Sequence, residues 1–220
     1  LRYRITTTSS LLITGNMGDA NMVSSAERIP GSSVLGVFAN KFIKGTNLNG
    51  KKPHDHDRFR PWFLEGGLVF TNAYIVTPCE NGTKRNFPLP LSIQHEKGND
   101  DKYRDMLFYE ADPDDDELQT VSEKNYGRLV GGGLYKETVK KSINFHHQRD
   151  PSTGTSKDGQ IFNYESIDKG QTFDGSILGS KSDLTAFYDL LFDQGQTSID
   201  IYLGRSKITQ YGMARLELIS

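Results

Sequence analysis

The residues best suited to chemistry lie near the C-terminus, in Leu203-Gly204-Arg205-Ser206-Lys207-Ile208-Thr209-Gln210-Tyr211-Gly212-Met213-Ala214-Arg215. Two glycines bracket a loop of hydroxyl, amide and basic side chains, with a strand-like run on each side. Glycine takes positive φ and lets a ligand approach the backbone closely. Successive N–H groups in such a loop form a concave anion site. Arg205, Lys207 and Arg215 stand there without an acid. The set suits a nucleic-acid backbone, and a plain tight turn between two strands is the competing reading. In the first reading, N–H groups near Gly204 and Gly212 meet phosphates, the basic residues and Ser206 add polar contacts, and Tyr211 stacks on a base.

A second anion-binding pattern is Ile29-Pro30-Gly31-Ser32-Ser33, which leads into an amphipathic run. Ser32 or Ser33 is the expected N-cap of a helix over about 33–43, with Val34, Leu35, Phe38 and Phe42 on one face. A helix start holds anions through free N–H groups and its positive dipole end. Lys41 lies further along the same helix. The segment is therefore either a cap alone or a cap that also touches a phosphate.

Other clusters carry less. His54, Asp55, His56 and Asp57 alternate on a polar stretch and are expected to be solvated, since zinc needs further ligands. His146-His147 suits acid–base cleavage of RNA, but a structural place on a hairpin arm explains it more simply. Asp112, Asp114, Asp115, Asp116 and Glu117 read as a solvated tip rather than a metal site. No metal and no cofactor is expected.

The bulk numbers narrow the classes. At 220 residues the chain has room for one elaborated domain. A net charge of −2 argues against a surface coated in polyanion, yet without the five acids at 112–117 the balance becomes +3. A local basic face is thus compatible with the total. One cysteine, Cys79, excludes an intrachain disulfide and any multi-cysteine zinc site, and suits a cytoplasmic location. No apolar run approaches the roughly 20 residues that cross a bilayer. The chain opens on Leu1 rather than Met, as expected of a trimmed chain or one domain of a longer polypeptide.

The elements that must position these residues follow from periodicity. Residues 2–13 read as a strand, followed by a polar loop from Gly15 to Arg28. After the helix comes a loop at 45–66, then a strand at about 67–77 with apolar residues on both faces. Between 78 and 135 the pattern breaks up, and only 103–111 resembles a strand. Residues 138–147 and 160–167 read as arms of a protruding hairpin. Gln171 to Leu178 is a further strand, with Phe173, Gly175 and Ile177 on one face. A helix over 182–194 follows from Leu184, Phe187, Tyr188 and Leu191, capped by Ser180 with Asp183 and ended by Gly195. Ile199, Ile201 and Leu203 alternate before the glycine loop, and Ala214, Leu216 and Leu218 after it. Without its insertions the order is strand, helix, strand, twice over. The expected fold is α+β, with a ferredoxin-like (RRM-like) split βαβ core, long insertions and a protruding β-hairpin.

Five segments carry a resemblance. Ile29 to Gly36 resembles the "IPGSSLKG" signature of CRISPR-associated RAMP proteins. Phe59-Arg60-Pro61-Trp62-Phe63-Leu64 precedes Phe70-Thr71-Asn72-Ala73-Tyr74. Pro88-Leu89-Pro90-Leu91-Ser92 is followed by Lys97. Gly170-Gln171-Thr172-Phe173-Asp174-Gly175 precedes the second helix, and Gly204-Arg205-Ser206-Lys207 to Tyr211-Gly212 comes after it. In this order they resemble the type III-D members of that superfamily, the Cas-five-like subgroup in particular.

The resemblance implies one RAMP domain over 1–220, with a core at about 1–44, 67–77 and 170–220 and insertions at about 45–66 and 78–169. It implies a crRNA-binding structural subunit of a type III CRISPR effector ribonucleoprotein in antiviral interference. Such a subunit meets target RNA through the guide and packs against other effector subunits, with no membrane partner. Ser32, Ser33, Lys41, Gly204, Arg205, Ser206, Lys207, Tyr211, Gly212 and Arg215 are then the expected RNA contacts. The alternative is a Cas-seven-like ribonuclease subunit that cleaves target RNA, with Asp19 in the loop after the first strand.

Overall fold

The computed structural model describes residues 1–15, 22–50, 52–80, 82–97, 99–108, 117–120, 126–130, 133–149, 156–192, 196–206 and 210–219. In chain order the elements are β1 (Arg2–Thr7), β2 (Met22–Ser24), α1 (Gly31–Gly45) and β3 (Leu68–Phe70). Then come β4 (Tyr74–Cys79), β5 (Gly82–Arg85), β6 (Phe87–Pro88), β7 (Ile93–Glu96), β8 (Asn99–Asp105), β9 (Leu118–Thr120), β10 (Tyr126–Val130) and β11 (Gly133–Glu137). The chain finishes with β12 (Lys141–Arg149), β13 (Ser156–Ile167), β14 (Thr172–Gly179), α2 (Lys181–Leu191), β15 (Ser198–Tyr202) and β16 (Met213–Ile219). The fold is mixed α+β and rich in strands.

The chain forms two compact units, Leu1–Ala73 with Val139–Ser220, and Tyr74–Thr138. In the first, the main sheet runs β15-β16-β1-β14. Neighbours are antiparallel throughout, and β3 pairs antiparallel with the C-terminal end of β14. Tyr3, Ile5, Phe173, Ile177 and Leu216 are fully buried on one sheet face. That follows from the period-two alternation of their strands.

The helices cover this face with an aromatic core. Val34, Phe38 and Phe42 of α1 and Phe187 of α2 are buried at helical spacing. The Phe38 ring lies 5.1 Å from Phe187 and 5.8 Å from Phe70, centroid to centroid. The stretch expected to be a loop at 45–66 contains a 3-10 turn at Pro53–Asp55 and a π-helical turn at Arg60–Leu64. The latter buries Trp62 and Phe63 against Phe42, at 6.1 and 5.8 Å. Polar flanks hid these anchors, which close the end of the core.

Several boundaries differ from the sequence reading, among them the end of the second helix, at Leu191 instead of 194. The first strand ends at Thr7, after which only Leu11 and Thr14 make isolated bridges. The strand expected at 67–77 is broken by Thr71–Ala73, where Ala73 bridges to Ile29. The first helix starts at Gly31, and its N-cap is Pro30, with no side-chain cap bond. Ser32 and Ser33 are therefore inside the first turn, not at the cap. Gly31 is the residue that packing requires, because a Cβ there runs into the Phe70 carbonyl of β3. The Gly31 N–H donates to Asn72 Oδ1 at 3.1 Å.

The expected hairpin exists. β12 and β13 pair antiparallel from Lys141↔Ile167 to Arg149↔Ser156, and β2 adds to β13 in parallel. Lys141 bridges Glu165 at 2.9 Å and Glu27 at 3.1 Å. Burial pulls the Lys141 pKa down, but the hydrogen bonds of Glu165 and Glu27 outweigh it and leave the amine raised.

The second unit holds the β4–β5 pair and two three-stranded sheets, β11-β10-β6 and β8-β7-β9. Asn86 is fully buried there. Its amide nitrogen donates to Ile75 O and Thr77 Oγ1, and Arg128 donates to its Oδ1 at 2.9 Å. Of the strand read at 103–111 only 103–105 is strand, as the end of β8; a turn follows at 106–108, and 109–111 lie outside the described residues. The strands β5 to β7 and β9 to β11 were not legible from periodicity. Residues 112–116 lie outside the described residues, and Glu117 pairs with Lys97 at 2.8 Å.

Candidate nucleic-acid interface

Helix α1 buries Val34, Phe38 and Phe42, so the opposite face must be polar and open. Two i, i+4 rows lie on it, Ser32-Gly36-Asn40-Lys44 and Ser33-Val37-Lys41-Gly45. All eight line a groove of about 840 Å³ whose other side is formed by Ile199 to Gly204, the strand β15 and the start of the glycine loop. Residues 32–45 and 199–204 are thus brought to one site although more than 150 positions separate them. Lys41 and Lys44 make no ion pair among the described residues. The acid in the lining is Asp200, and Arg215 holds it at 3.2 Å.

The glycine loop is built differently from the expectation. Gly204 and Gly212 have positive φ, at 79° and 98°. Gly204 is also a close-packing residue, because a Cβ there strikes the Leu12 carbonyl. The Arg205 N–H donates to Leu12 O at 2.8 Å, and the Gly212 N–H to Ser10 O at 2.9 Å. Leu203 N–H donates to Gly212 O. These donors fasten the loop to the segment after β1, so they do not form a phosphate nest.

Tyr211 is also not a stacking platform. It is buried, its hydroxyl lies 2.8 Å from His146 Nε2, and its ring meets Tyr164 edge-on. Burial, with the neighbouring Tyr164, raises its pKa. His146 is explained by the same contact, as a hairpin residue that anchors the loop. Arg205 and Ser206 remain exposed on the loop, with Ser206 at φ 50°.

Of the expected contacts, the groove brings together Ser32, Ser33, Lys41 and Gly204. It leaves Arg215 on β16 in its ion pair with Asp200. Lys207 and Asp19 lie outside the described residues, as does Gly195. The side chains that sequence reasoning missed are Asn40 and Lys44. Their signal was present in the i, i+4 spacing from Ser32. It carried no weight without knowledge of what faces the helix.

The groove, two lysines against hydroxyls, an amide and the edge of a strand, suits an extended polyanion. No protein-family model matches the sequence, and no curated protein matches it. Among solved structures, the chain aligns over 98% of its length with 95% of a chain in the cryo-EM structure of the Type III-B Cmr-beta bound to cognate target RNA. The TM-score is 0.55 at 10% identity. A chain of the Type III-B Cmr-beta apo state aligns over 100% of this chain and 96% of its own, at TM-score 0.56 and 9% identity.

The fold is similar to that of these two type III-B Cmr-beta chains. At such identity the likeness is one of fold. The groove between α1 and β15 lies wholly within the first unit. Among the described residues no helix is long and apolar enough to cross a membrane, and no group of three or more His, Cys, Asp or Glu side chains is placed to hold a metal ion.

Proposed function

We propose that this chain is a crRNA-binding structural subunit of a type III CRISPR effector ribonucleoprotein. It holds the guide backbone or 5′ handle in the groove between α1 and β15. The core that carries the groove is then a ferredoxin-like split βαβ, with β1, β3, β14 and β16 as its four strands and β15 added at the edge. The type III-D, Cas-five-like place rests on the order of the five sequence motifs. Target RNA, other effector subunits and a cytoplasmic setting follow from that role.

The observation that supports this reading most is that Ser32, Ser33, Lys41 and Gly204 border one groove with Lys44. Lysine–phosphate contacts position a strand without reading sequence. The fold likeness adds to it, since the similar chain belongs to an assembly bound to cognate target RNA. Arg205, exposed where the glycine loop leaves the groove, extends the basic track.

The test is retention of guide RNA by the assembled complex carrying Lys41→Ala and Lys44→Ala together. Affinity should fall and the logarithmic salt slope should drop by about 0.7 per lost phosphate contact. Unchanged retention and slope would overturn the reading. Cleavage of complementary RNA by the same complex with Asp19→Ala separates the structural role from the ribonuclease alternative. Lost cleavage would move the assignment to the ribonuclease.

A further inference from the structure

The groove has an unusual floor. Ile199 to Gly204 border it consecutively, although Ile201 is buried and Tyr202 is 44% exposed. Side chains of one strand alternate between the two sheet faces. Residues from both faces border one groove where it runs along the edge of a strand. Strand β15 pairs with β16 on one side and, among the described residues, with no strand on the other. An open edge presents alternating main-chain N–H and C=O groups.

We infer that the groove distinguishes RNA from DNA by the main-chain edge of β15, whose carbonyls accept hydrogen bonds from ribose 2′-hydroxyls. This rests on the RNA reading above and adds a basis for sugar selectivity. The 2′-hydroxyl is a donor that DNA lacks. Edge N–H groups and the Lys41 and Lys44 amines take phosphate oxygens on either side of it. The Arg205 and Gly212 N–H groups are committed to the Leu12 and Ser10 carbonyls and that of Leu203 to Gly212 O, while the edge of β15 remains to supply main-chain contacts.

A strand edge beside a helix also receives extended peptides. Strand addition draws its specificity from pockets for alternate side chains. The facing wall here offers Ser32, Ser33, Asn40 and two lysines instead, which suits a sugar–phosphate chain.

The experiment uses the purified full chain and fluorescent single-stranded 12-mers of one mixed sequence, as RNA, DNA and 2′-O-methyl RNA. RNA should bind roughly tenfold or more tighter than the other two, the effect of two or more lost hydrogen bonds. Lys41→Ala with Lys44→Ala should weaken all three alike and preserve the ratio. Gly36 faces open space, so Gly36→Glu puts bulk and negative charge in the groove without strain. That variant should abolish both affinity and preference.

Equal RNA and DNA affinity with lysine dependence intact would overturn the sugar-selective edge and leave the RNA-holding groove standing. So would 2′-O-methyl RNA binding as tightly as RNA. Binding insensitive to both lysines and to Gly36→Glu would overturn both readings. Displacement of RNA by an acidic ten-residue peptide, without RNA preference, would make the edge a strand-addition surface and overturn both.

Discussion

The Tyr211 hydroxyl lies 2.8 Å from His146 Nε2, which ties the glycine loop to the β12–β13 hairpin. The contact is half-buried and the His146 ring also lies 4.7 Å from that of Tyr164. Tyr211→Phe should therefore lower stability by about 1 kcal/mol, the net worth of one such hydrogen bond plus an unsatisfied partner. The urea midpoint should fall with no change in slope. Tyr211→Ala should cost several times more, because it also empties a packed position.

Two glycines separate conformational need from mere presence. Gly204 combines a φ of 79° with contact against the Leu12 carbonyl, so Gly204→Ala should destabilise by roughly 1–3 kcal/mol. Gly36 is helical and faces open space, so Gly36→Ala should stabilise by about 0.5–1 kcal/mol. Thermal melts of the two variants should move in opposite directions.

Trp62 reports on the cap of α2. Its indole N–H donates to Asp183 Oδ1 at 3.0 Å, and the Ser180 hydroxyl donates to Oδ2. The Ser180 hydroxyl first, then Trp62, hold the Asp183 carboxyl below its usual 3.8. Its contribution to stability is complete above that value and disappears as pH falls through the lower folded pKa. The chain has one tryptophan, so its fluorescence should shift in that acid window. Asp183→Asn should remove the shift.

Asp174 is nearly sealed, with 1% of its side chain exposed, and Arg4 grips it through two bonds of 2.8 and 3.0 Å. It links β14 to β1 at the centre of the main sheet. Asp174→Ala removes the sealed carboxylate from both bonds to Arg4 and should cost about 1–3 kcal/mol by denaturant unfolding. A loss under about 1 kcal/mol would contradict the pairing.

Much of the frame was legible from spacing. The face Val34, Phe38 and Phe42, the cap Ser180 with Asp183, the alternation of Ile199 and Ile201, and the two hairpin arms all appear where periodicity put them. Local signals sufficed because each depends on neighbours within one or two turns. The anchors Trp62 and Phe63 were missed because a π-helical turn has no long-range period. The N-cap was misread because serine's capping preference gave way to packing, which requires glycine at 31 against β3.

The sequence alone determined which residues have the chemistry to hold an anion: the hydroxyls at 32 and 33, Lys41 of α1 and the glycines at 204 and 212. Tertiary structure decided which of them work together. The Arg205 and Gly212 N–H groups are taken by the Leu12 and Ser10 carbonyls, and Tyr211 is buried on His146, so these residues act as a fastening. The open polar face of α1 instead meets β15, whose outer edge is unpaired among the described residues. Such a partnership spans more than 150 residues, and only packing on a shared sheet brings its two halves within reach of one ligand.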